Sequence, residues 1–127
     1  MVTTLGRSPG LTLTLRRLIE LLEGEDEDEY GILKPTDYAF KAVVNLILEA
    51  NSLVSTDFPK ASVSTDHQGG IRLAWTSLDH EREVCLFCPS NSSAPMDVYH
   101  VSENEEGVED VTSVATLVKW LEWFSQS

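Results

Sequence analysis

The sequence predicts a single α+β domain over residues 1–127, in which three helices pack on one face of a four-stranded antiparallel meander. Hydrophobic residues recur with helical periodicity in two segments before residue 54 and in one segment after residue 111. Between residues 61 and 101 they alternate with a period of two, which is typical of strands. Short loops and no helix separate these strands, so the sheet is expected to be antiparallel with two N-terminal helices and one C-terminal helix.

The first helix is predicted over residues 11–23, and Gly24 ends it. Its apolar stripe comprises Leu11, Leu15, Leu18, Ile19 and Leu22. Leu13 and Leu21 lie off this stripe, so the helix is expected to touch a second surface, either in this chain or in another one.

An acidic connection, residues 24–35, leads to a second helix over residues 36–53. Thr36 is suited to the N-cap, and Asp37 is favourable in the first turn because the N-terminus of a helix carries a partial positive charge. The apolar positions of this helix are Phe40, Val43, Val44, Ile47 and Ala50. This spacing is the strongest helical signal in the sequence.

Four strands are expected within residues 61–101, joined by a glycine-containing turn at residues 66–70 and by two polar loops. In the third strand, Cys88 is expected on one face of the sheet, whereas Cys85 and Phe87 are expected on the other. The acidic stretch after residue 102 is predicted to be a loop. The last helix is predicted over residues 112–125 and has the apolar stripe Val114, Leu117, Val118, Leu121 and Phe124.

Acidic residues outnumber basic ones by 21 to 9, which gives a formal net charge of −12. Binding to nucleic acid or to an anionic membrane requires cationic residues, so neither is expected as a partner. The acids concentrate at residues 20–29 and 103–110. The first run is interpreted as a solvated loop, a docking patch for a basic partner, or a mimic of nucleic acid that occupies a basic groove. With neither a secretory signal nor a membrane-length apolar run, the cytoplasm is the expected location.

No catalytic, cofactor-binding or metal-binding constellation is recognisable, so no cofactor is predicted. Cys85 and Cys88 have the spacing of a CxxC motif, but on a strand their Cα atoms are about 10 Å apart and their side chains face opposite ways. Two reduced cysteines, at least one of them in the core, are therefore expected. A metal or redox site that uses both cysteines with His67, His80 or His100 is the alternative, although isolated surface histidines are favoured.

Trp120 and Trp123 flank the stripe of the last helix. Either both pack in the core, or one of them is exposed and anchors an interface, because tryptophan is enriched at binding hot spots. Together with the acidic run they form the predicted partner-binding residues: Glu25, Asp26, Glu27, Asp28, Glu29, Tyr30, Trp120 and Trp123.

Several short motifs occur in a fixed order: Tyr30-Gly31-Ile32-Leu33-Lys34-Pro35-Thr36, Phe58-Pro59, Gly69-Gly70-Ile71-Arg72-Leu73-Ala74-Trp75 and Arg82-Glu83-Val84. In these motifs the chain resembles a family of small, uncharacterised bacterial proteins that is most familiar from cyanobacteria. The resemblance covers roughly residues 30–124 and leaves the first helix outside it. It implies a small accessory protein, such as the antitoxin-like member of a gene pair, and it assigns no catalytic residues.

The function expected from these observations is a non-enzymatic, acidic module that binds or regulates a protein partner with a basic surface. A homodimer is also compatible with the surplus of apolar residues on the first and last helices. The alternatives are a metal- or ligand-binding protein, or an enzyme, built on Cys85, Cys88 and the histidines, and a binder of small molecules between the sheet and the helices.

Overall fold

The computed structural model describes residues 9–23, 34–55, 57–79 and 81–125. They form three helices, α1 (Pro9–Glu23), α2 (Asp37–Leu53) and α3 (Val114–Ser125), and five strands, β1 (Ser62–Thr65), β2 (Ile71–Thr76), β3 (Arg82–Cys88), β4 (Asp97–Ser102) and β5 (Glu106–Asp110). The predicted α+β class and the three helices are confirmed. Most of the predicted acidic connection, residues 24–33, lies outside the described residues.

The strands form one antiparallel sheet in the order β1-β2-β3-β4-β5, as a meander requires. The prediction of four strands was wrong, because the acidic stretch that was expected to be a loop forms β5 at the edge of the sheet. An edge strand pairs on one side only, and charges on it are common because they prevent pairing with other chains. The stretch therefore lacks the apolar alternation that identifies a half-buried strand.

One face of the sheet is covered by all three helices. α1 lies over β1, α2 over β2 and β3, and α3 over β3 and β4, with α2 in contact with both other helices. The inward residues of the central strands are fully buried, namely Ile71, Leu73, Trp75, Val84, Leu86, Cys88 and Val98. None of the described helices combines the length and apolarity needed to cross a bilayer.

The buried face of α1 differs from the predicted stripe. Ile19 is 51% exposed, whereas Thr14 is fully buried and Leu21 packs against the core. The Thr14 hydroxyl donates to the carbonyl of Gly10 and accepts a hydrogen bond of 3.0 Å from the backbone N–H of Ala61. A polar residue thus faces inward because it satisfies a buried backbone donor, which an apolar periodicity cannot reveal.

The turn between β1 and β2 is anchored on the start of α2. Asp66 accepts hydrogen bonds from the backbone N–H groups of Gln68 and Gly70, and Gly69 has a positive φ of 89°. The carbonyl of Gly69 accepts a bond from the N–H of Thr36, whose side chain caps α2 as predicted. Burial acts to raise the pKa of Asp66, but the hydrogen bonds from the turn outweigh it and lower the pKa.

Candidate protein-binding surface

The second face of the sheet is not covered by any of the described helices. We call this surface the open face. Its residues on β2 to β5 are Arg72, Ala74, Thr76, Glu83, Cys85, Phe87, Asp97, Tyr99, Val101, Glu106, Val108 and Asp110. Their exposure alternates with that of the buried inward residues along β2, as the period of a strand requires.

An apolar row crosses the middle of the open face. The strand register aligns Ala74 with Cys85, Cys85 with Tyr99, and Tyr99 with Val108. Phe87 lies on one side of this row, and the side chain of Val108 at the edge is 64% exposed. Such a continuous strip, rimmed by polar residues, is typical of interaction surfaces rather than of the scattered apolar residues found on any protein.

Carboxylates surround the apolar row. The open face contains four acidic residues, Glu83, Asp97, Glu106 and Asp110, and a single basic residue, Arg72, whose guanidinium lies 5.4 Å from the centre of the Phe87 ring. Partial burial is the largest cause of a raised pKa at Asp97, and repulsion from the neighbouring carboxylate of Asp110 raises this pKa further. A basic side chain from a partner would relieve this repulsion.

Tyr99 illustrates how the acids act on the centre of the open face. Its hydroxyl donates a hydrogen bond to the carboxylate of Glu106 on the neighbouring strand. This bond raises the pKa of Tyr99, because the carboxylate stabilises the protonated phenol. The bond holds the Tyr99 ring across β4 and β5.

A depression of about 470 Å³ lies at one side of the open face, where β2 and β4 end and β3 begins. Its lining residues are Thr76, Glu81, Glu83, Val101, Ser102 and Glu103. Three of these side chains are carboxylates, and a hydroxyl donates from Thr76 to Glu83 at 3.3 Å. The composition suits the ammonium or guanidinium group of a lysine or arginine better than it suits an anion.

The two cysteines lie on opposite faces of β3, as predicted. Cys88 is buried in the core and Cys85 is half-buried on the open face, and neither forms a disulfide. Burial raises the pKa of both thiols to about 11, and for Cys85 the adjacent Glu83 contributes to the increase. Within the described part of the chain, no three metal-binding side chains lie close enough to hold an ion. Because they lie on opposite faces of β3, the two thiols do not converge on a common site in this structure.

Trp120 and Trp123 pack on the inner side of the sheet, and each remains partly exposed. The indole N–H of Trp120 donates to Glu109 at 3.0 Å, and the Arg82 guanidinium lies 5.3 Å from the centre of the Trp123 ring. Lys119 donates to the same oxygen of Glu109 at 2.7 Å. These contacts tie α3 to β3 and β5. Partner binding by the two tryptophans stays a prediction.

The interpretation of His100 as a surface residue was wrong. Only 8% of it is exposed, and its ring stacks on Trp120 with the centroids 3.7 Å apart. Its Nε2 lies 3.3 Å from Glu105, and its buried Nδ1 has no hydrogen-bond partner among the described residues. Gly107 is opposite it in the sheet, and a Cβ atom there would lie 3.0 Å from the ring. His100 shares the inward parity of Val98, which is the signal that could have placed it.

The other predicted site residues are distributed as follows. Residues 25–30 and His80 lie outside the described residues, and His67 is exposed in the turn before β2. The sequence does not reveal the open face, because its residues are separated along the chain and meet only across the strands. Comparison of the chain with protein-family models, with curated proteins and with solved structures finds no match in any of the three.

Proposed function

We propose that the protein is a non-enzymatic interaction module that binds or regulates a protein partner with a basic surface, and that the open face is its binding surface. The observation that carries this proposal is an apolar row, ending in Val108, set among carboxylates on a sheet face that the described helices leave uncovered. Apolar contact supplies affinity at such a surface, and charge complementarity selects the partner.

The charge of the protein indicates the chemistry of the partner. The chain carries a net charge of −12, and the open face itself contains four acids and one arginine. An acidic or neutral protein would bury these carboxylates without a counter-charge, which costs free energy. Lysine and arginine side chains would pair with them and would also fit the acidic depression at the strand ends.

The test is affinity capture from a native lysate with three forms of the protein. One is the wild type, and one carries Val101→Lys and Val108→Lys on the open face. The third is a matched control with Leu48→Lys and Leu53→Lys, which lie on α2 and are 38% and 55% exposed. Both variants change the net charge by the same amount, so only the location of the new charges differs.

We expect the wild type and the α2 control to recover one stoichiometric basic protein that the open-face variant loses. The purified partner should then rebind purified wild type at an affinity at least about tenfold above its affinity for the open-face variant. Equal capture by all three forms, or the absence of any stoichiometric partner, would contradict the proposal.

A further inference from the structure

β5 is the last strand of the sheet, and no described strand pairs with its outer edge. Two backbone hydrogen bonds determine which of its polar groups face that edge. At the turn before β5, the N–H of Ser102 donates to the carbonyl of Glu105 at 2.7 Å. Beyond the other end, the N–H of Val111 donates to the carbonyl of Met96 at 2.8 Å.

In an antiparallel ladder, opposed residues alternate between pairs that exchange hydrogen bonds and pairs that do not. Counting from the bonded pair at the turn, Gly107 exchanges bonds with His100, and Glu109 exchanges bonds with Val98. The same alternation reaches the bonded pair of Met96 and Val111 at the far end, so the two hydrogen bonds agree on which opposed pairs of the ladder are bonded.

Glu106, Val108 and Asp110 therefore direct their backbone N–H and C=O groups away from β4, toward the edge with which no described strand pairs. These same residues place their side chains on the open face. Within the described ranges, β5 thus presents a row of unpaired backbone groups. The three side chains beside them are acidic, apolar and acidic in turn. Such an edge is a template for another strand.

We infer that β5 binds an extended segment of the basic partner by strand addition, and that this segment carries basic, apolar and basic residues at alternate positions. This inference rests on the proposed function and specifies its binding mode. Backbone hydrogen bonds at Glu106, Val108 and Asp110 hold the added strand. Its alternate side chains lie on the open face, where an apolar residue meets Val108 and basic residues meet the two acids.

The same acids disfavour a second copy of this chain at this edge. Pairing of two β5 strands brings carboxylates from both chains together, and like charges on adjacent strands destabilise the pairing. Charged edges serve in many proteins only to prevent aggregation. Here the exposed Val108 between the acids gives a basic and apolar strand a contact that a purely protective edge lacks.

The first test uses a synthetic peptide, Lys-Thr-Val-Thr-Lys-Thr-Val-Thr-Lys with blocked ends, and amide hydrogen exchange followed by NMR. On peptide binding, the amides of Glu106, Val108 and Asp110 should exchange at least about tenfold more slowly, because they acquire acceptors. The amides of Gly107 and Glu109, which already bond to β4, should change little. Slower exchange at Gly107 and Glu109, without slower exchange at the three amides that face the edge, would overturn the inference.

The second test compares Val108→Pro with Val108→Thr. Proline removes a donor that faces the edge, so the bonds between β4 and β5 remain and folding is retained. We expect Val108→Pro to bind the peptide at least about tenfold more weakly than Val108→Thr does. In an antiparallel pair the N–H groups of the peptide's lysine and valine residues face β5. A peptide N-methylated at these residues should therefore lose binding to the wild type, which tests the same bonds without altering the protein.

The outcomes separate the two proposals. If the Val101→Lys and Val108→Lys variant loses the basic partner while Val108→Pro and the wild type bind it equally, strand addition is wrong and the open face is still the binding surface. If neither variant changes capture of the partner, the proposed function itself fails. Equal binding of the methylated and unmethylated peptides would also overturn strand addition.

Discussion

Thr14 shows how one side chain can join two elements. Its hydroxyl accepts from the buried N–H of Ala61, just before β1, and donates to Gly10 in its own helix. Thr14→Val keeps the shape and removes the acceptor, so the N–H stays buried without a partner. We expect urea unfolding to report a loss of about 1–3 kcal/mol.

The matched control for Thr14 is serine, which retains the hydroxyl and removes one methyl group. Thr14→Ser should cost about 0.8 kcal/mol, the value of one buried methyl or methylene group. A serine variant less stable than the valine variant would show that packing, and not the hydrogen bond, determines the stability at this position.

Cys85 reports on the electrostatics of the open face. Burial and then the nearby Glu83, whose carboxylate oxygen lies 3.6 Å from Sγ, raise its pKa to about 11. Because the thiolate is the nucleophile, its alkylation by iodoacetamide should accelerate about tenfold per pH unit between pH 8 and 10. Glu83→Gln removes the charge that opposes the thiolate, so the pKa falls and alkylation at pH 8.5 should be about threefold faster or more.

Cys88 is the internal control for this measurement. Burial alone raises its pKa, and it lies on the other face of β3 from Glu83. Its reactivity should therefore be the same in Glu83→Gln and in the wild type. A plateau of the Cys85 rate near pH 8.5, or no response of that rate to the substitution, would show that Glu83 does not act on the thiol.

At the scale of elements, the sequence was informative where one face of an element is buried. The alternation of Ile71, Leu73 and Trp75 specifies β2, and the spacing of apolar residues specifies α2. β5 could not be predicted, because it pairs along one edge and its alternating exposure is not matched by apolar residues on the less exposed side. The open face was equally hidden, since its rows form only when the register aligns residues from four strands.

The hairpin between β1 and β2 is an element whose geometry the sequence signalled through Gly69 and Gly70. A Cβ atom at Gly70 would lie 2.7 Å from the carbonyl oxygen of Cys88, so the two backbones can approach only if this residue is glycine. Gly70→Ala should therefore cost about 1–3 kcal/mol in urea unfolding. Gln68→Ala in the same turn is exposed and should change stability by less than about 0.5 kcal/mol. Equal effects would show that the turn tolerates the added carbon.

At the scale of the whole molecule, the two faces of the sheet have different surroundings. Three helices bury one side of the sheet, and the alternation of side chains along the strands places the acids and the apolar row on the other side. The net charge of −12 acts over a longer range than any of these contacts. A net charge of this size repels bodies of the same sign and attracts those of opposite sign before contact is made.

This long-range attraction predicts that salt slows association. The Debye length falls from about 30 Å at 0.01 M salt to about 3 Å at 1 M, so steering by exposed carboxylates is lost as salt is added. Between 20 mM and 500 mM salt, the association rate of the lysine-containing peptide should fall about tenfold or more, with little change in dissociation. Stopped-flow fluorescence with a labelled peptide measures both rates. A peptide with threonine in place of each lysine should associate slowly at every salt concentration, and a salt-independent rate for the lysine peptide would exclude charge as the basis of partner selection.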